Sequence, residues 1–294
     1  MATVCLLGYG GLGHECEKAL LEKGFKVATA GHDIFDISDT DDVKSLLDGI
    51  APDLVVNTAA FTAVDKAEDE KERAFAVNAQ GVGYVANWCS DHEIPLIHIS
   101  TDYVFSNPSY APHAETEVPR ALCVYGESKL EGERLVTRSG CRGYIIRTSA
   151  LFGRYNPGFA GQILNKLKQG GALRVVSDTR ICPTPAHALA DAVALIAKRE
   201  LSENKPCCGI YHFAGAPDTT WFDFAQRISG RALALGLIEK EPVLMAISSD
   251  EYGSKAQRPL DSRLSCARIE KVFGISAPSW EDYIDETLQA QTNA

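Results

Sequence analysis

Short apolar, β-branched runs alternate with stretches of helical periodicity through the first half of the chain. The apolar runs predict strands at 3–7, 26–29, 54–57, 95–100 and 144–147. The periodic stretches predict helices at 12–23, 42–47, 65–77, 80–92 and 124–138. The strand runs are continuous, not alternating, which argues for strands buried on both faces in a parallel sheet covered by helices. Ligands of such sheets bind beyond the strand carboxyl ends, where the strand order reverses. Gly8, Ala59, Ala60 and Thr101 each follow a predicted strand and are expected to converge there.

Beyond residue 150 the pattern loosens. Asn156-Pro157-Gly158 and Gln169-Gly170-Gly171 break the chain, and Pro183-Thr184-Pro185 precedes a helix at 186–199. Tyr211-His212-Phe213 reads as a short strand, a helix follows from Trp221, and the tail is helical over 280–288. The expected fold class is α/β. Residues 1–150 are expected to form a Rossmann-type doubly wound parallel sheet. Residues 151–294 form a smaller mixed substrate domain, some of whose elements return to the main sheet.

Composition narrows the partners. The formal charge of −10 disfavours nucleic acid and anionic membranes, so a phosphate-bearing ligand must be held by local donors. The nine cysteines are odd in number, form no Cys-x-x-Cys and include several inside apolar runs. That fits free thiols in a reducing compartment better than disulfides or zinc. The seven histidines show no metal-ligand spacing, and no metal is expected. No run approaches the roughly 20 apolar residues of a spanning helix. The N-terminus reads as a strand, not a signal peptide, and a cytoplasmic location is expected.

The segment Gly8-Tyr9-Gly10-Gly11-Leu12-Gly13 matches G-x-G-x-x-G, directly after a strand and opening a helix. Gly8 permits a tight turn, Gly10 lets the backbone approach a pyrophosphate, and Gly13 allows close helix–strand packing. The helix N-terminus offers free N–H groups to the anion. The usual ribose-reading acid is missing from the end of the second strand, Ala28-Thr29-Ala30-Gly31-His32. NADPH and NADH both stay open as cofactors. Asp36 is preferred near the adenine or ribose, and Asp33 is left between a role there and a solvated turn.

Tyr125 and Lys129 stand one helical turn apart in VYGESKLEGE. An ammonium beside a phenol favours the phenolate and is expected to lower the phenol pKa from its usual value of about 10. A hydroxyl close by can share the proton. Together these groups suit the reduction of a carbonyl or the oxidation of an alcohol. The pair alone is a common coincidence, and its context gives it weight.

That context is a series of stretches running in order over nearly the whole chain: PDLVVNTAAFTAVDKAEDE, AFAVNAQGV, HISTDYVF, VYGESKLEGE, IIRTSALFG, RVVSDTRICPTPAHALADAV, GIYHFAGAPDTTWFDFA and RPLDSRL. They resemble the extended short-chain dehydrogenase/reductases, and more closely the dTDP-4-dehydrorhamnose reductase family. The resemblance implies NAD(P)H lying across the strand ends, with its pyrophosphate on Gly8, Gly10, Gly11, Leu12 and Gly13. Ala59, Ala60 and Thr62 would flank the cofactor. Lys129 would bond the nicotinamide ribose and lower the Tyr125 pKa. Hydride would pass to C4 of a dTDP-4-keto-6-deoxyhexose, with Tyr125 protonating the oxygen and Thr101 bonding it. The product would be dTDP-L-rhamnose or a close relative, for surface polysaccharide. Val64, Asp102 and Tyr103 are placed along the sugar, the last with core packing as its alternative. Arg258 is a candidate for the diphosphate, with a surface ion pair as its alternative.

The chain departs from the family pattern in several places. Leu7 stands where the family has its first glycine, and Ala150 where a tryptophan lies beside the sugar. Arg180 adds a charge in Asp178-Thr179-Arg180-Ile181-Cys182-Pro183-Thr184. Glu15 matches one carboxylate of a Mg²⁺ site found at a dimer interface in some members, but His187 replaces another, so a metal is not expected and a homodimer is left open. Two alternatives remain. One is another sugar-nucleotide epimerase or reductase. The other is an NADP-binding regulatory subunit similar to that of methionine adenosyltransferase, acting on a partner enzyme.

Overall fold

A computed structural model describes residues 1–106, 111–202 and 206–291. Strand β1 (Thr3–Leu7) leads into α1 (Gly11–Glu22), followed by β2 (Lys26–Ala30), α2 (Thr40–Ile50) and β3 (Leu54–Asn57). Next come two short helices, α3 (Val64–Ala67) and α4 (Lys71–Phe75), then α5 (Val82–Asp91), β4 (Leu96–Thr101), α6 (Val124–Ser139) and β5 (Gly143–Thr148). These strands pair in parallel in the order β2-β1-β3-β4-β5. Every residue of β3 and β4 is buried, as the continuous apolar runs require of a sheet covered on both faces. The strand order reverses between β1 and β3, so the ligand crevice opens beside Gly8.

One expectation is corrected. The two helices expected at 65–77 and 80–92 are divided elsewhere. The first turn stops at Ala67, where the backbone of Lys66 accepts from Asp69 and Glu70 (3.1 and 3.0 Å). From Lys71 to Asp91 the chain is one continuous rod that widens into a π-helix over Ala76–Gly81. Nothing between residues 77 and 80 breaks a helix, and the wide turn absorbs the mismatch. It also buries Asn78, which ties the loop after β3 to α6. Asn78 accepts from Phe61 N (2.8 Å) and donates to Phe61 O and Ser128 Oγ (3.0 Å each).

The second half contains β6 (Leu151–Phe152), α7 (Gly158–Gln169), β7 (Ala172–Val176), β8 (Arg180–Ile181), β9 (Thr184–Pro185) and α8 (Ala186–Ser202). Strand β10 (Gly209–His212) follows, then β11 (Thr219–Thr220), α9 (Trp221–Ala234), β12 (Val243–Ile247), α10 (Ser249–Tyr252), α11 (Ala267–Phe273) and α12 (Ile284–Ala290). Strand β10 pairs in parallel with β5 and becomes the sixth strand of the main sheet. Helix α8 lies against α1 on one face of that sheet, among Cys16, Leu20, Leu189 and Val193. The opposite face is closed by α2 and α5 through Val43, Leu47, Val82 and Trp88. A separate core joins α7, α9 and α12 around Phe152, Phe224, Trp280 and Ile284.

Candidate active site

The glycine loop closes on the ends of β1, β2 and β3. Gly8 has φ +90°, and its N–H donates to Ala30 O (2.9 Å). A methyl group there would stand 2.4 Å from Ala59 N, and one on Gly13 would stand 2.2 Å from Gly8 O. One on Gly11 would run into Asn156 at 2.2 Å. Protein packing thus accounts for three of the glycines. Gly10 is different: its φ is −88°, and a methyl group there would meet nothing within 4 Å. It is also the N-cap of α1 and provides no side-chain cap, while the first turn carries no acid. Among the described residues no side chain caps the N–H groups that open the helix, and such a helix end can receive an anion.

Thr58 Oγ donates to Gly8 O (2.7 Å), and Asn57 Oδ1 accepts from Ala59 N (3.0 Å), which fixes Ala59 and Ala60 beside the loop. Thr62 is exposed, and half-buried Val64 opens α3. The Asp36 carboxylate is already engaged, accepting from Ser38 N (2.9 Å) and Ser38 Oγ (2.6 Å). Those two bonds lower its pKa and make it the anchor of its own turn.

Two strands along, roughly 10 Å at the usual strand spacing, β4 ends in Ser100 and Thr101. The Thr101 hydroxyl donates to Asp102 Oδ1 (2.9 Å) and lies within hydrogen-bonding reach of the Tyr125 phenol. Asp102 is 3% exposed. Its other oxygen accepts from Ser149 Oγ (2.8 Å), and Ser262 adds a further hydroxyl. Burial raises the Asp102 pKa, and these three hydroxyls oppose the rise. The Tyr103 ring meets that of Tyr125 edge-on, with centroids 5.5 Å apart. Arg258 reaches the Tyr103 hydroxyl and grips Asp65 with both ends of its fork (3.0 and 2.8 Å). The structure therefore brings together Thr101, Asp102, Tyr103, Tyr125 and Arg258, and it gives Arg258 an ion pair with a residue of α3.

The expected lowering of the Tyr125 pKa is corrected. Tyr125 is half-buried at the cleft, and the atoms packed about it raise its pKa, with only the Thr101 bond opposing. Lys129 does lie one turn along α6, but it is 2% exposed and its ammonium donates to Ile99 O (2.6 Å). Burial lowers the Lys129 pKa to about 8, against the pull of the Glu133 carboxylate. Tyr125 therefore holds its proton at neutral pH, the form an acid needs.

Reading the sequence missed the supports of this centre. Glu133, two turns after Tyr125, accepts from Ser100 Oγ (2.5 Å) and from Arg147 Nε and Nη2 (2.9 and 2.6 Å). Ser149 and Ser262 lie in the stretches IIRTSALFG and RPLDSRL, and Asn78 in AFAVNAQGV. For Asn78, a polar residue inside the largely apolar run AFAVNAQGV was the available signal. Ala150 adopts φ +43° and packs half-buried against the second core. Arg180 pairs with Asp218. Buried Glu15 faces Arg154 and His187 at 3.7 and 3.9 Å.

The family model described as the RmlD substrate binding domain matches residues 1–293. The chain belongs to this family. It is 37% identical, over 96% of both chains, to the dTDP-4-dehydrorhamnose reductase of Aggregatibacter actinomycetemcomitans. Among solved structures, a dTDP-4-dehydrorhamnose reductase from Clostridium acetobutylicum superposes with a TM-score of 0.90 at 28% identity, covering 99% of each chain. The enzyme of that name from Bacillus anthracis, solved in complex with NADP, gives 0.88 at 27% identity, covering 98% of this chain and 99% of that one. Among the described residues no helix is long and apolar enough to cross a membrane.

Proposed function

We propose that the protein reduces the 4-keto group of a dTDP-4-keto-6-deoxyhexose, as a dTDP-4-dehydrorhamnose reductase does, using NADPH or NADH. The observation that carries this is a proton-loaded Tyr125 beside Thr101 at the end of β4, across the crevice from an uncapped helix N-terminus at Gly10. When bound there, the dinucleotide supplies the hydride that reaches the carbonyl carbon.

Tyr125 donates its O–H proton to the oxygen, leaving a phenolate. Thr101, bonded to Asp102 and within reach of the phenol, positions the Tyr125 hydroxyl. Lys129 uses one N–H on Ile99 O and keeps two donors for the cofactor ribose. Its positive charge stabilises the nascent phenolate. Arg258, held at Tyr103 by Asp65, supports a reading in which residues 151–294 carry the nucleotide end of the substrate. The nine unbridged cysteines support placing the enzyme in the reducing cytoplasm.

The test is Tyr125→Phe, assayed by oxidation of NAD(P)H with a dTDP-4-keto-6-deoxy sugar. Loss of a positioned acid should lower turnover about 100-fold or more, with cofactor affinity nearly unchanged. Turnover equal to the parent would reject Tyr125 as the acid.

A further inference from the structure

In this fold the acid that reads the cofactor ribose stands at the end of the second strand, and β2 ends without one. We propose that Asp33 is the ribose-reading acid of this chain, and that it sets cofactor choice toward NADH over the 2′-phosphorylated NADPH. This rests on the dinucleotide site described above and goes beyond it by deciding between the two cofactors.

After β2 the chain turns back, with Ile34 N and Phe35 N both donating to Gly31 O (3.0 and 3.2 Å). The turn returns the Asp33 side chain over the strand end. Its Oδ1 lies 2.5 Å from the point where a Cβ on Gly31 would stand, and Tyr9 Cβ lies 3.4 Å from that same point. The carboxylate therefore occupies the volume that a side chain at position 31 would otherwise fill, against the second residue of the glycine loop. Gly31 is buried, and its φ lies outside the left-handed region, so a side chain at this position would be free of backbone strain but would push the Asp33 carboxylate aside. The strand ends are tied at this place by the bond from Gly8 N to Ala30 O. Asp33 is exposed, so a carboxylate at this place can accept from both ribose hydroxyls, and it repels a 2′-phosphate.

The neighbouring groups do not offset that repulsion. No lysine or arginine occurs between residues 27 and 43. Arg73, which acts on Asp36, pairs with Glu70 at 3.2 Å and lies over the Phe61 ring. Asp36 is a second carboxylate, bonded to Ser38. His32 is exposed on the same turn.

The experiment is a binding titration of NADH and NADPH against the full chain and its Asp33→Asn and Asp36→Asn variants, at low and high salt. The parent should favour NADH by about tenfold or more, and added salt should narrow the gap because the repulsion is screened. Asp33→Asn should narrow it by about tenfold, chiefly through tighter NADPH binding. Asp36→Asn, whose carboxylate is tied to Ser38 in the parent, should shift the ratio less than Asp33→Asn does. A parent that prefers NADPH, an unchanged ratio in Asp33→Asn, or an equal shift from Asp36→Asn would overturn the proposal while leaving the dinucleotide site intact. Failure of the parent to bind either cofactor would reject the site and this proposal together.

Discussion

Glu133→Ala tests whether the charge cluster beneath the active site stabilises the fold. Arg147 and Glu133 are 1% and 2% exposed. The substitution removes the acceptor of two charged hydrogen bonds from Arg147 and of one from Ser100. What remains around the guanidinium is His212 Nε2 at 3.4 Å and the Phe105 ring at 5.1 Å. Neither replaces a carboxylate, so the variant keeps a buried cation without a counter-ion. Breaking such a pair from one side costs about 3–5 kcal/mol. That is a large part of a total stability of about 5–15 kcal/mol, and it corresponds to a fall in melting temperature on the order of 10 °C for a chain of this size. Urea denaturation of parent and variant measures it directly. The double variant Glu133→Leu with Arg147→Met removes both charges and should recover most of the loss. A cost below about 1 kcal/mol for Glu133→Ala, or a double variant less stable than the single one, would refute the reasoning.

Lys129, with its pKa near 8 against 10.5 when free, gives an alkaline signature. Across that window the unfolded chain keeps a proton the folded chain has lost at this group, so Lys129 itself adds stability as pH rises from about 8 toward 10.5. The buried thiols and phenols with raised pKa values pull the other way in parent and variant alike, and the difference in urea midpoint between parent and Lys129→Met should shift in the parent's favour over that range. Turnover should fall over the same range as the ammonium discharges. Gly8→Ala and Gly10→Ala should separate folding from binding. The first forces a methyl group onto Ala59 at φ +90° and should cost about 2 kcal/mol or more in denaturation. The second should cost little stability but weaken dinucleotide binding at least about tenfold in a titration, since its methyl group would crowd an anion at that helix end.

The sheet was legible because strands buried on both faces carry an unbroken apolar run, as in Leu54-Val55-Val56. The rod from Lys71 to Asp91 was not, because a π-turn leaves no mark in a 3.6-residue periodicity. The glycine loop and the Tyr125–Lys129 spacing are local patterns and were visible at once. The direction of the Tyr125 pKa was not, since helical spacing reveals a neighbour but not the burial that outweighs it. Contacts made at long range stayed hidden too. Asp102 receives the Ser149 hydroxyl from 47 residues away, and it receives that of Ser262, and Asp65 meets Arg258, only after the two halves of the chain have packed.

Strand β10 has a bearing on how the molecule can be cut. A fragment ending near residue 150 would lack its sixth strand, and the outer rim of β5 would lose the amide ladder running from Tyr144 to Arg147. Such a rim invites a stray strand from another molecule. The first half of the chain is thus finished by sequence that arrives late in synthesis, and any attempt to produce it separately should carry Gly209–His212 along.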